Sequence, residues 1–134
     1  MLFTELNIIV PLSLEIQVIN MEIHYNELDN GIRLIKLHGT LDIIGTGNIE
    51  TKFTGYCSGD KVRMIVDLSG VDFLASIGIR LLVLTAKSIA TRGGKMVLLN
   101  PIPDVHNVLE ITGIPAIIPI YSQIESAETV LLAF

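Results

Sequence analysis

Residues 61–100 read "KVRMIVDLSGVDFLASIGIRLLVLTAKSIATRGGKMVLLN". The two apolar runs "KVRMIVDL" and "KMVLLN" have the make-up of buried strands, and between them, from about Ser76 to Arg92, apolar residues recur at helical spacing. Gly93 and Gly94 suit the left-handed conformation at a helix C-terminus. A strand, a helix and a second strand in this order call for a parallel pair joined by a right-handed crossover.

The pattern extends in both directions. Upstream, "MEIHYNEL", "DNG" and "IRLIKLHG" read as an antiparallel hairpin in which Ile32, Leu34, Ile35 and Leu37 supply apolar sites. Thr46 is placed to cap a helix carrying Ile49, Phe53, Tyr56 and Cys57, broken by "SGD". Downstream, Pro101 and Pro103 open a third helix with Val105, Val108 and Leu109 inward, stopped at Gly113, and "AIIPIY" is a last short strand. Ser122 and Glu125 form a capping-box pair for a final helix with Ile124, Ala127, Val130 and Leu131. The expected class is α/β, ββαβαβαβα, with a mixed, mostly parallel sheet and packed helices.

Residues 1–20, "MLFTELNIIVPLSLEIQVIN", precede this domain of residues 21–134. The segment is apolar, but the first Lys or Arg is Arg33, and Glu5 and Pro11 interrupt any apolar signal core, so it does not read as a signal peptide. Leu14, Ile16 and Val18 alternate with Glu15 and Gln17, the pattern of an extra N-terminal strand that pairs within the monomer or with a neighbouring subunit. Met21 is an alternative start of the domain proper. No apolar stretch is long enough to span a bilayer as a helix.

A chain of 134 residues can bury one core. Half of its residues are hydrophobic and 17% charged, with a mean hydropathy of +0.61, which points to apolar surface that meets a partner. The net charge of −5, with no basic stripe, argues against nucleic acid. Cys57 is the lone cysteine, so an intramolecular disulfide and a thiolate metal cluster are excluded, and a reducing cytoplasm fits. His24, His38 and His106 show no metal-ligand spacing. "GTGN" at 45–48 and "RGGK" at 92–95 follow no phosphate-loop or dinucleotide pattern and read as turns. Asp42, Asp67 and Asp72 either line one end of the sheet, where ligands of α/β folds sit, or serve as caps and solvated loop residues. No nucleophile, metal set or acid–base pair converges, so neither an enzyme nor a cofactor is expected.

On a helical wheel of the second helix, Ile79, Leu82, Val83, Ala86, Ile89 and Ala90 share one arc. Ile77, Leu81 and Leu84 lie on the opposite arc with Arg80 and Lys87 beside them. Either the helix is buried all round, or it exposes an apolar ridge edged by cations to an acidic, apolar partner. Ser76 at its start is an N-cap, or a position where the helix dipole would favour a phosphate.

Residues 21–134 resemble the STAS domain family, and within it the bacterial anti-sigma factor antagonists. The resemblance runs through "HGTLD", "VDLSGVDFLASIGIRLL", "RGGKMVLLNP", "VLEITGI" and "SQIESAETVLL". It implies a partner-switching protein that binds a serine-kinase anti-sigma factor, is phosphorylated from ATP at the N-terminus of the second helix, and is restored by a phosphatase. It places the phosphoacceptor on Ser76 and the motif glycine on Gly78. Ile77, Gly78, Arg80, Leu81, Leu84 and Lys87 then form the partner surface, with Asp42 and Asp72 lining the site. Ala75 stands where the family commonly has Asp, Ile77 where it has a small or hydroxylated residue, and Thr40 where it often has an acid. The alternative is a STAS scaffold, never phosphorylated, that oligomerises through the ridge or the N-terminal strand, for instance as a homodimer.

Overall fold

The structure, a computed structural model, describes residues 21–134. The extra strand expected within residues 1–20 lies outside them. Strands β1 (Met21–Glu27) and β2 (Arg33–Leu41) form the expected hairpin. Its turn is closed by the Leu28 N–H donating to the Ile32 carbonyl at 2.8 Å, with Gly31 at φ +84°. Then follow α1 (Ile43–Tyr56), β3 (Arg63–Leu74), α2 (Ser76–Thr91), β4 (Lys95–Leu99), α3 (Pro103–Ile111), a 3₁₀ turn (Ile114–Ala116), β5 (Ile120–Tyr121) and α4 (Ile124–Leu132).

The five strands lie in sequence order, β1 antiparallel to β2 and every other pair parallel. This is the mixed, mostly parallel sheet read from the sequence. Strand alternation divides the core in two. Ile35, Leu37, Met64, Val66, Met96 and Leu98 pack with Ile49, Phe53, Leu82, Ile89, Val105 and Leu109 from α1, α2 and α3. Leu34, Ile65, Val97 and Leu99 face the other way, onto Ala127 and Leu131 of α4.

Four local expectations are corrected. The first strand of the opening motif does not stop at Leu68; β3 runs on to Leu74, so Asp67 and Asp72, together with the "SG" between them, lie within a strand rather than in a loop. Gly70 permits this, because a Cβ there would stand 2.9 Å from the Leu37 carbonyl, and the register with β2 shifts beside it. Asp42, not Thr46, caps α1: its Oδ1 accepts from the Gly45 N–H at 2.8 Å, which places Thr46 inside the helix, buried. Ser76 is no cap either, since Ala75 holds the N-cap position of α2 and Ser76 is the first helical residue. Gln123 precedes α4 without a side-chain cap bond, so the Ser122 and Glu125 capping box is not formed.

Two arginines hold the C-terminal end of α1. Arg33 Nη1 donates to the carbonyls of Tyr56 (2.9 Å) and Ser58 (2.7 Å), and Arg92 donates from Nη2 to Cys57 and from Nε to Gly59, each at 2.7 Å. The bonds satisfy carbonyls left unpaired at the helix end and put positive charge at the negative pole of the dipole. Cys57 is buried beneath them, and burial pushes its thiol up from 9.0 to about 12 against the opposing pull of Arg33 and Arg92. In the unfolded chain the thiol ionises first, so its contribution to stability is complete below pH 9.0 and is lost as pH rises toward about 12. Labelling with an aromatic disulfide at about pH 8 is expected to be negligible in the folded protein and rapid in denaturant. Rapid labelling of the folded protein would contradict this burial.

Candidate functional site

The start of α2 is set by its contact with β2. Ala75 N–H donates to the Leu41 carbonyl at 3.0 Å, and a Cβ on Gly78 would lie 2.9 Å from Leu41 Cβ and 3.0 Å from Leu74 Cδ1. Only a residue without a side chain lets the first turn sit so close to the strand end. Gly78 is therefore buried, a packing residue rather than part of the partner surface to which the resemblance assigned it. With Gly78 turned in, Ser76 and Ile77 are turned out, and both are exposed.

Further along α2, Leu82, Thr85, Ala86 and Ile89 are buried, Ile79, Leu81 and Val83 half-buried, and Arg80, Leu84 and Lys87 exposed. Ile77 and Leu84 keep 38% and 53% of their surface in water, so the helix is not buried all round. Two wheel assignments change: Ala90 is exposed, and Thr85 takes a place on the core face.

The outward face of α2 forms one wall of a groove whose other wall is α1. At its upper end a space of about 500 Å³ is lined by Thr46 and Glu50 of α1 and by Ser76, Ile77, Arg80, Leu81 and Leu84 of α2. Past Glu50, Leu81 and Leu84 it continues as about 470 Å³ toward Thr54, Ser88 and Arg92. The structure thus gathers Ser76, Ile77, Arg80, Leu81 and Leu84 into one surface. Lys87 is exposed on the same helix but does not line the groove.

Thr46 and Glu50 were not assigned to this site from the sequence. With the helix start placed at Thr46, Ile43 and Ile44 went unread as well, yet they form the first turn of α1 with 75% and 54% exposure. Phe73, 54% exposed, stands at the same end of the sheet, opposite Thr40 of β2. A run of exposed apolar residues directly after the capping aspartate was the available signal.

Asp42 and Asp72 stand at this end of the sheet, engaged with protein groups. Asp42 caps α1, and Asp72 Oδ1 accepts from the Thr40 hydroxyl at 2.8 Å. The hydroxyl of Thr46 is buried and has no hydrogen-bond partner, the only such side-chain atom among the described residues. His106 pairs with Glu110 (3.3 Å) and His24 with Glu22 (3.2 Å), outside the groove. No group of three or more candidate ligands that could hold a metal occurs among the described residues. Nor is any helix among them long and apolar enough to cross a membrane.

The STAS domain model matches residues 26–127, most of the chain and both walls of the groove. The chain belongs to the STAS domain family. That domain is a regulatory and signalling module rather than a catalyst. Among relatives, this STAS domain is 27% identical over 107 residues to BtrV of Bordetella bronchiseptica, a protein described as an anti-sigma factor antagonist, covering 80% of this chain and 91% of the other. In fold it is similar to an anti-sigma factor antagonist from Mycobacterium paratuberculosis, with a TM-score of 0.75 at 21% identity over 83% of this chain and 93% of that one. It is also similar to the Bacillus cell fate determinant SpoIIAA in its phosphorylated form, with a TM-score of 0.60 at 20% identity over 81% and 99% of the two chains.

Proposed function

We propose that this STAS domain is a cytoplasmic anti-sigma factor antagonist. It binds a serine-kinase anti-sigma factor through the α2 face of the groove and is released when Ser76 is phosphorylated. The observation that carries the reading is the position of Ser76, an exposed hydroxyl on the first residue of α2, beside the exposed Ile77 and Arg80. Ile77, Leu81 and Leu84 supply apolar contact, and Arg80 and Lys87 supply positive charge suited to an acidic partner surface. In the switching step Ser76 Oγ attacks the γ-phosphorus of ATP. The new O–P bond forms as the bond to the β-phosphate oxygen breaks, ADP leaves, and the serine proton passes to a base of the kinase. A phosphatase reverses the modification with water. Gly78 serves by placing the acceptor, not by touching the partner.

Affinity capture from host lysate with Ser76→Ala and Ser76→Asp baits tests this reading. The Ala bait is expected to retain an ATPase-like kinase that the Asp bait loses; identical partners on both would overturn it.

A second reading, an oligomerising scaffold, is favoured by one observation, the exposure of Ile43, Ile44 and Phe73 at one end of the sheet. Light scattering of the chain with and without residues 1–20 tests it, and a monomer in both cases at high concentration would count against it.

A further inference from the structure

We propose that a phosphoryl group on Ser76 is received by the chain itself, between the Arg80 guanidinium and the Thr46 hydroxyl at the start of α2. The proposal rests on Ser76 as phosphoacceptor and adds how the modified state is held.

Three features converge on that position. Ser76 and Arg80 are four residues apart on one helix, the spacing at which side chains meet, and both line the same groove. Ala75 at the N-cap makes no side-chain hydrogen bond, so no side-chain oxygen of its own competes for the positive pole of α2. Independently, Thr46 contributes from the opposite wall of the groove a buried hydroxyl without a partner. Threonine inside a helix commonly returns its hydroxyl to the carbonyl one turn back. Here the Asp42 carbonyl takes the Thr46 N–H at 2.9 Å, and the hydroxyl makes no such bond. Leaving a buried hydroxyl unpaired is costly, and a phosphate oxygen would supply the missing acceptor. Threonine populates two χ1 rotamers in helices, so a single side-chain rotation exchanges its methyl and hydroxyl positions.

Opposing charge is also present. Glu50 lines the groove, and Asp42 and Asp72 lie at the same end of the sheet. Glu50 is exposed, so water and salt weaken its repulsion. Arg80, by contrast, meets the phosphate as a charge-assisted pair on its own helix face. Capture in cis would also withdraw the Arg80 charge from the partner surface, so modification would both add a dianion and remove a cation from the docking face.

The test is a phosphorus NMR titration of the full chain carrying phosphoserine at position 76, without any partner, against the same phosphoserine in a peptide of residues 70–82. The second ionisation is expected about half a unit lower in the folded chain. Arg80→Ala should return most of that shift. Thr46→Val should return part of it while leaving the unmodified protein as stable or more so, and Thr46→Ser should keep it. Glu50→Gln should lower the midpoint further. A midpoint equal to or above that of the peptide, or one that neither Arg80→Ala nor Thr46→Val moves, would overturn the proposal. Because no kinase is in the sample, this result is separate from the capture experiment: a shifted midpoint with identical partners on both baits would sink the switching role and leave phosphate capture standing.

Discussion

Alanine at position 94 is expected to destabilise the folded chain by about 3 kcal/mol or more, lowering the melting temperature by about 10 °C. A Cβ on Gly94 would stand 2.3 Å from the Val62 carbonyl oxygen and 2.7 Å from the Val62 nitrogen. Both are backbone atoms, so no side-chain rotation relieves the overlap. The same backbone is tied in place, with Lys95 N–H donating to Val62 O at 2.8 Å and Gly94 N–H to Ile89 O at 2.9 Å. These bonds join the end of α2 to the entry of β3 and β4, so relief would have to part the helix from the sheet. Gly47 is the matched control. It lies inside α1 with nothing within 4 Å of a built Cβ, and Gly47→Ala is expected to stabilise by about 0.5–1 kcal/mol through helix propensity. Urea denaturation of the two variants separates a steric requirement from a general cost of removing glycine; equal effects would refute the close approach.

The second large effect falls on binding. Ser76→Asp is expected to weaken affinity for the proposed kinase partner by about tenfold to a hundredfold, or roughly 1.4–2.8 kcal/mol. The carboxylate would stand on the first turn of α2 beside Ile77, where an apolar partner surface must strip its water. Arg80 offsets part of that cost, and phosphate, with nearly twice the charge, is expected to act more strongly than aspartate. Leu84→Ala should also weaken binding, in the Ser76→Ala background as well, because it removes exposed apolar area rather than adding charge. Calorimetric titration of the captured kinase measures all three variants. Unchanged affinity for Ser76→Asp would remove the switch.

Much of this architecture was legible in the chain because its causes are local. The apolar run in "KVRMIVDL", the helical period from Ser76 and the left-handed Gly93 at φ +80° act within a few residues of themselves. The shared arc of Ile77, Leu81 and Leu84 followed from the same period. The misplacements share another cause. "SG" at 69–70 has the composition of a turn, yet β3 continues because β2 lies alongside to pair with it, closely enough to require Gly70. Thr46 and Ser76 are good capping residues, but the caps fell to Asp42 and Ala75, where the chain leaves β2 and β3.

By itself, then, the sequence determined the order of the elements, the α/β class, the apolar arc of Ile77, Leu81 and Leu84 and the identity of the hydroxyl at its head, while the exposure of that arc was settled by the structure. Tertiary structure alone decided that Gly78 faces inward, that Thr46 and Glu50 form the second wall of the groove, and that Arg33 and Arg92 hold the end of α1. Periodicity reports which side of an element is apolar. Which groups that side meets depends on how closely segments distant in sequence approach, and that distance is set only when the helices are packed on the sheet.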